Sequence, residues 1–540
     1  MSTQHARIFE LSSKRRALLE ELLQEEGVER ACTPVIPRRT NNDPAPLSFA
    51  QQRLWFLDQL DPGGSAYNIP WAIRLEGCLN VEVLRQALAE IIARHETLRT
   101  TFGVTSEGLR QVIAPVLNIP LPIINIEALD SAERETEVQR LVLQEAQQGF
   151  DLTIGPLLRT TLLRLREDDR VLLLTIHHII SDGWSAGVIL QELGALYEAF
   201  AAGQQSPLAD LPIQYADYAV WQRERLRGEV LDEQLAYWRC QLAGASLVLN
   251  LPTDHPRPVV RSVRGARESL SLTAPLTEQL KSLSRDEGVT LYMLLLAAFQ
   301  VLLHRYTQQT DIVIGSPIAN RTQAGTTELI GFFANTAVLR SDLRGDPSFR
   351  EVLRQVREVT LDAYAHQELP FEKLMDELQP ERSLSHTPLF QVAFVFQNAV
   401  IEERRLPGLS MSATRVDGAT SKFDLTLSLV EDSDKLSGSL EYSTDLFEAA
   451  TIRRMLGHFK TLLSGIARDA NQRLAALPLL TQAEEEQLLV GWNEREEYGE
   501  VKSLAEEFEK QVERRGEAIA VSFGEEEVSY GELNERANQV

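Results

Sequence analysis

The stretch "TIHHIISDGWS", Thr175 to Ser185, sets two adjacent histidines at the end of an apolar run and an Asp-Gly pair four residues after the second. An imidazole titrates near neutrality, so an exposed histidine here suits general-base chemistry. Side chains alternate across a strand, so His177 and His178 are expected on opposite sides. One ring is then expected to pack inward and the other to face a cleft. The same alternation argues against a shared metal, for which i, i+2 on a strand or i, i+4 on a helix is the usual spacing. Asp182 either binds the imidazole or holds its loop by pairing with an arginine. Gly183 lets a ligand approach the backbone and offers an N–H for a developing oxyanion. A packed histidine corner is the bland alternative.

The elements that must position these residues are legible from periodicity. "PLLRTTLLRL", the turn "REDD" and "RVLLLTIHH" predict a β-hairpin whose second strand is buried on both faces. A helix after "IISDGW" turns Ile189, Leu193, Leu196, Tyr197 and Phe200 inward. "NVEVLRQALAEIIARHETLRTTF" predicts an amphipathic helix capped by Asn80, with Leu84, Leu88, Ile91, Ile92 and His95 on one side. A second compact unit begins near Tyr215. It holds a helix near 276–286, a buried helix 291–305 capped by Thr290, the strands "DIVIGSP", "FQVAFVFQN" and "FDLTLSLVED", and a closing helix with Ile452, Met455, Leu456, Phe459 and Leu463 on one face. Past Pro478 come a helix "LAEEFEKQVERRG", a hairpin "AIAVSFGEEEVSY" and a last helix. At the other end, residues 12–26 read as a charged helix with a thin stripe of Leu18, Leu19, Leu22 and Leu23. It is tethered by "TPVIPRRTNNDPAP", and the compact region starts near Leu47.

A chain of 540 residues is too long for one core. With 44% hydrophobic and 24% charged residues it is an ordinary globular composition. A net charge of −24 argues against a nucleic-acid partner, which would want a basic face. Cys32, Cys78 and Cys240 are too scattered for a zinc or disulfide framework, which fits a reducing cytoplasm. No signal peptide or membrane span is evident.

"HHIISDG" resembles the HHxxxDG signature of nonribosomal peptide synthetase condensation domains, itself related to the HxxxD of chloramphenicol acetyltransferase-like acyltransferases. Its companions follow in the family's order over roughly residues 46–470: "LSFAQQRLWFL", "RHETLRTTF", "YADYAVWQ", "IGFFANTAVLR", "HQELPFEKL" and "RSLSHTPLFQV". The tail resembles the opening of an adenylation domain. The resemblance implies an α/β (α+β) fold of two chloramphenicol acetyltransferase-like lobes, a V-shaped pseudo-dimer with a central tunnel. The expected division is 1–45 N-terminal helix and linker, a possible docking element; 46–214 and 215–475, the two lobes; and 476–540, linker and adenylation start.

It further implies amide formation between a carrier-bound donor thioester and a carrier-bound acceptor amine. "HHIISDGWS" with "YNIP" and "RHETLRTTF" is most similar to the subtype joining an L-donor to an L-acceptor. His178 is the catalytic residue the resemblance implies, as base or as an amine-positioning group, with His177 a structural packing residue and the Gly183 N–H as oxyanion donor. Asp182 is structural and pairs with Arg94, or failing that Arg99. Trp184, Ser185 and Asn335 are expected along the tunnel, Asn335 with a turn role as the alternative. Trp55, Phe56 and Leu57 are expected in the core, Tyr215, Tyr218 and Trp221 at the lobe interface, and His366 and Glu372 orienting a loop. "SPIANRTQAGTTELI" is the expected crossover near the tunnel floor. No metal or cofactor is expected on the chain itself, since substrates arrive on phosphopantetheine arms. The expected partners are an upstream donor carrier in trans, given the short N-terminal segment, and downstream adenylation and carrier domains of the same synthetase, the chain itself being a monomer. A catalytically silent relative that recruits partner proteins is the rival reading.

Overall fold

The computed structural model describes residues 36–41, 43–379, 383–397, 404–415, 419–432, 435–493 and 503–540. The helix expected at 12–26 and Cys32 lie outside the described residues. The chain forms two compact units, Met1–Leu479 and Leu480–Val540.

Two six-stranded sheets organise the first unit. In the first sheet the strand order is Arg404–Leu406, Leu409–Arg415, Asn68–Gly77, Asp169–His177, Leu158–Arg164, Ile123–Asn125. The expected hairpin is there, with Leu158 opposite Ile176 and Arg164 opposite Arg170. Its second strand is buried on both faces, as its unbroken apolar run demands. Leu172, Leu174 and Ile176 meet Leu84, Leu88, Ile91, Leu193 and Leu196 of helices Val81–Arg94 and Gly183–Ala201. Val171 and Leu173 meet Val138 and Val142 of helix Ser131–Gln147. The Asn80 cap also forms, its Oδ1 accepting from Glu82 N and Val83 N.

The second sheet runs Asn335–Asp342, Asp311–Ile318, Val392–Gln397, Leu425–Asp432, Lys435–Ser443, Gly265–Ser271. Helix Leu291–Thr307 fills its core, with every residue from Met293 to Leu303 buried. Thr290 caps it, and the polar Gln300 within it accepts from Ser341 Oγ at 2.9 Å. Among the described residues no single helix is long and apolar enough to cross a membrane.

The structure departs from the sequential division in two places. Strand Leu409–Arg415 leaves the second half of the chain and pairs antiparallel with Asn68–Gly77 of the first. The crossing is close: a Cβ on Gly77, whose φ is +119°, would lie 2.2 Å from Gly408 O. Only glycine fits there. At the other end, packed residues precede Leu47. Ile36 packs with Leu211, Ile213 and Tyr215, and Arg39 pairs with Asp217 at 2.9 Å and Glu96 at 2.8 Å. That part of the expected linker is held by two largely buried ion pairs.

The second unit contains helices Gln482–Leu489, Leu504–Arg515 and Tyr530–Asn538 and the hairpin Ile519–Phe523 with Glu526–Ser529. The last two helices and the hairpin match the sequence expectation.

Candidate active site

Strand Asp169–His177 stops between the two histidines, and His178–Ile180 is a turn of 3-10 helix. The pair is therefore split by the turn and not by strand alternation, although the outcome is the expected one. His177 is 3% exposed, with its ring edge-on to Phe150. Its Nδ1 accepts from Ile179 N at 3.2 Å, so the neutral ring carries its proton on Nε2. Burial, then the charge of Lys422, pushes its pKa down to about 3. It is a neutral packing group.

His178 is half-buried. Its backbone N donates to Tyr67 O at 2.8 Å. Its Nδ1 lies 2.8 Å from Ser181 O, and a carbonyl only accepts, so in the neutral ring Nδ1 carries the proton and Nε2 the lone pair. The ring is set edge-on against Phe332 at 4.7 Å. Gln51, fully buried in the first motif, donates from Nε2 to Ile179 O at 3.2 Å. It holds the turn that presents His178.

Asp182 caps helix Gly183–Ala201. Its carboxylate accepts from Ser185 N at 2.9 Å and Phe333 N at 3.1 Å. The expected arginine exists but is neither Arg94 nor Arg99. Arg321 Nη2 reaches both carboxylate oxygens, at 3.0 and 3.2 Å. Its Nη1 donates to Thr326 O and Leu329 O, and its guanidinium lies 4.1 Å from the centre of the Phe333 ring. Both partners' side chains are 2% exposed.

Arg94 is taken up by Glu192 at 2.9 Å and Ala209 O, and Arg99 by Ala114 O. Glu192 also accepts from His95 Nε2 at 2.8 Å. The second motif thus closes on helix Gly183–Ala201 and on Ile330 N, which donates to His95 Nδ1.

Gly183 is exposed, and a Cβ on it would meet nothing within 4 Å. As the first helical residue its N–H has no intrahelical acceptor. Trp184 is 48% exposed, its Nε1 donating to Thr327 O at 2.9 Å. Ser185 was expected along a tunnel but is fully buried in the Asp182–Arg321 pair, accepting from Gly331 N at 3.1 Å. Asn335 takes its turn role. It donates to Gln367 O and Leu369 O and accepts from Phe371 N, clipping the "HQELPFEKL" segment in place. There His366 stacks on Tyr237 at 3.9 Å and Glu372 pairs with Arg53 at 3.4 Å. Tyr215 and Tyr218 pack on Phe333, and a Cβ on Gly331 would strike the Tyr215 ring. Phe56, expected in the core, is 55% exposed.

Sequence reasoning missed Arg321, Glu192 and Gln51. Glu192 carried a signal, since it falls three after Ile189 and four before Leu196 on the apolar face of its helix. Among the described residues no cluster of three or more His, Cys, Asp or Glu is set to hold a metal.

Two six-stranded sheets joined by an exchanged strand, with a histidine at the end of a central strand, define a two-lobed acyltransferase-like protein. Solved structures of the same fold include the X-domain from teicoplanin biosynthesis (TM-score 0.75, 31% identity, 83% of this chain and 100% of that one). Another is holo-AB3403, a four-domain nonribosomal peptide synthetase (TM-score 0.77, 25% identity, 91% and 38%). The Condensation domain profile matches residues 41–489, and the chain belongs to the condensation-domain family of the nonribosomal peptide synthetases.

A linear gramicidin synthase from Brevibacillus parabrevis is 48% identical over 523 residues, 96% of this chain and 10% of that protein. Phosphinothricin tripeptide synthetase PhsC of Streptomyces viridochromogenes is 42% identical over 545 residues, all of this chain and 50% of that protein. The chain thus spans a tenth to a half of the length of these relatives.

Proposed function

We propose that this chain forms an amide between two carrier-bound substrates, an L-configured donor and an L-configured acceptor. The observation that carries the reading is the His178 tautomer. With Nδ1 committed to Ser181 O, the Nε2 lone pair is the group that meets an incoming amine.

The acceptor's free α-amine attacks the donor thioester carbonyl, and a C–N bond forms as the carbonyl π electrons move to oxygen. Nε2 of His178 takes the proton that the nitrogen sheds. The tetrahedral intermediate then collapses, the C–S bond breaks, and the leaving thiolate receives that proton. One amide and one thiol replace one amine and one thioester. The Gly183 N–H, at the start of a helix, is the donor proposed for the oxyanion. Because a thioester is already activated and an α-amine has a pKa of about 7.7–8.0, positioning supplies much of the acceleration. Both substrates are proposed to arrive on phosphopantetheine arms. The segment from Leu504 is read as the opening of an adenylation domain, on its resemblance alone.

Single turnover with donor-loaded and acceptor-loaded carriers, read by mass spectrometry, tests this. Amide product from the native chain, lost in His178→Ala, is the expected result. Unchanged yield in that variant sinks the assignment of His178. A second reading has one observation in its favour. An X-domain at 31% identity is described in complex with OxyB, so a domain of this fold can serve as a partner-binding platform. No amide from the native chain with both carriers loaded would leave that reading standing.

A further inference from the structure

Three motifs far apart in sequence meet at the turn and the ring that set His178. The first is the start of helix Phe49–Leu60, where Ser48 and Gln51 cap each other. Gln51 N donates to Ser48 Oγ at 3.1 Å, and Ser48 N to Gln51 Oε1 at 3.1 Å. Gln51 Nε2 goes on to Ile179 O, in the turn that carries His178. Ser48 goes on to the second motif, at Tyr215. The Tyr215 hydroxyl lies 2.9 Å from Ser48 Oγ and 2.6 Å from Phe332 O, in the third. A phenol has one proton and a carbonyl only accepts, so Tyr215 donates to Phe332 O and Ser48 donates to Tyr215. Burial holds the phenol well above its ordinary range, so this donor keeps its proton at any working pH.

The chain of hydrogen bonds ends on Phe332, whose ring stands edge-on to the His178 imidazole at 4.7 Å. Residues 330–333 lie in no helix or strand. Side chains hold them instead: Ile330 N by His95, Gly331 N by Ser185, Phe332 O by Tyr215 and Phe333 N by Asp182. The Tyr215 ring, 1% exposed, lies so close on Gly331 that a Cβ there would come within 2.1 Å of it. A phenylalanine at 215 would fill the same space. What the hydroxyl adds is the link between Ser48 and Phe332.

We propose that Tyr215 is a positioning residue for amide formation, its hydroxyl fixing Phe332 so that the Phe332 ring holds the His178 imidazole in one orientation. The proposal rests on His178 being the group that meets the amine, as argued above. The bond from Nδ1 to Ser181 O restrains the imidazole at one edge, and the Phe332 ring gives it a second contact. Loosening Phe332 lets the imidazole pivot about that bond and turns Nε2 off the line of the incoming amine.

Tyr215→Phe removes the hydroxyl and keeps the ring. With both carriers loaded and saturating, its single-turnover rate should fall roughly ten- to a hundred-fold, while the carrier concentrations that give half the limiting rate stay native. Tyr218→Phe is the matched control. It also removes a buried hydroxyl beside Phe333, one bonded to Gln222 and Asn320, and should keep the native rate. Phe332→Leu removes the ring that touches His178, and adding Tyr215→Phe to it should cost nothing more, since one acts through the other. In chain carrying ¹³C-labelled histidine, the His178 NMR signal is assigned by its absence in His178→Ala. It should move in the same direction in Tyr215→Phe and Phe332→Leu, as the ring current of Phe332 is displaced or lost, and stay in place in Tyr218→Phe. A native rate or an unmoved His178 signal in Tyr215→Phe overturns the proposal. Additive losses in the double variant overturn it too, and so do equal losses in Tyr215→Phe and Tyr218→Phe, which report lost packing. If Tyr215→Phe does not fold, a native rate in Phe332→Leu, at a part-buried position, overturns it. A moved His178 signal together with amide from His178→Ala would fail the functional reading and leave the hold on the ring intact.

Discussion

Asp182 and Arg321 make the most consequential pair of side chains in the first unit. Each is almost fully buried, and the carboxylate accepts from two backbone N–H groups as well as from the guanidinium. Removing one partner of such a pair strands the other charge, typically at a cost of roughly 3–5 kcal/mol. Arg321→Met should therefore lower the unfolding free energy by about that amount in urea titration, and Arg94→Met by clearly less. Equal losses would mean that the Glu192 site carries the same load. His177 gives a pH-dependent prediction. Folded, it stays neutral down to about pH 3, whereas an unfolded histidine binds a proton near 6.5. Between those limits the unfolded chain holds the extra proton, so stability falls as pH drops from about 6.5 toward 3. The slope is at most ~1.4 kcal/mol per pH unit. His177→Asn, which keeps an acceptor for Ile179 N, should flatten that slope in denaturant titrations at successive pH values; parallel curves for the two proteins would rule the effect out. The histidines, Asp182 and Gly183 were legible because their signal lies within one short stretch of sequence. The arginine was not, because it stands 139 residues from Asp182, and nothing in "SPIANRTQ" marks one cation as buried. Arg94 and Arg99 lie nearer in sequence, but each has an acceptor close by.

Elements in this fold are joined by glycines and by one asparagine at points where backbones nearly touch. Gly77 meets Gly408 at the strand exchange, and no side chain fits between them. Gly77→Val adds both a clash with backbone and a positive φ that a branched residue resists. It should cost more than about 2 kcal/mol and lower the melting temperature by several degrees. An unchanged thermal transition would show that strand Leu409–Arg415 contributes nothing to the first sheet. Asn335→Ala should release the Gln367–Phe371 segment by removing three hydrogen bonds. Faster amide hydrogen exchange at Phe371, with little change in strand Asp311–Ile318, is the expected signature. Periodicity revealed the hairpin, the caps and the buried helix Leu291–Thr307, because each is decided by residues a few positions apart. It was silent on the exchanged strand. "LSMSATR" alternates like any edge strand, and the choice of which edge to join depends on a partner more than 300 residues away.

The two units of the molecule differ in how much they can bury. The first has continuous cores on both sides of its sheets. In the second, no residue from Leu504 to Val540 is buried, and Leu504 and Phe523 are 92% and 87% exposed. A lone two-stranded hairpin with short helices is marginal in water. Amides of Ile519–Ser529 should accordingly exchange orders of magnitude faster than those of Asp169–His177, and protection equal to that of the central strand would contradict this picture.

The exchanged strand has a consequence for how the molecule is made. Asn68–Gly77 is interior to its sheet only once Leu409–Arg415 has arrived. At translation speeds of about 5–20 residues per second, more than 300 residues of further synthesis leave that strand's edge open for some tens of seconds. An open edge is a template for pairing with any other chain. A newborn chain therefore passes through a period in which its own first half is adhesive. The closure that ends this period comes from the same half of the chain that carries Arg321, the partner of Asp182.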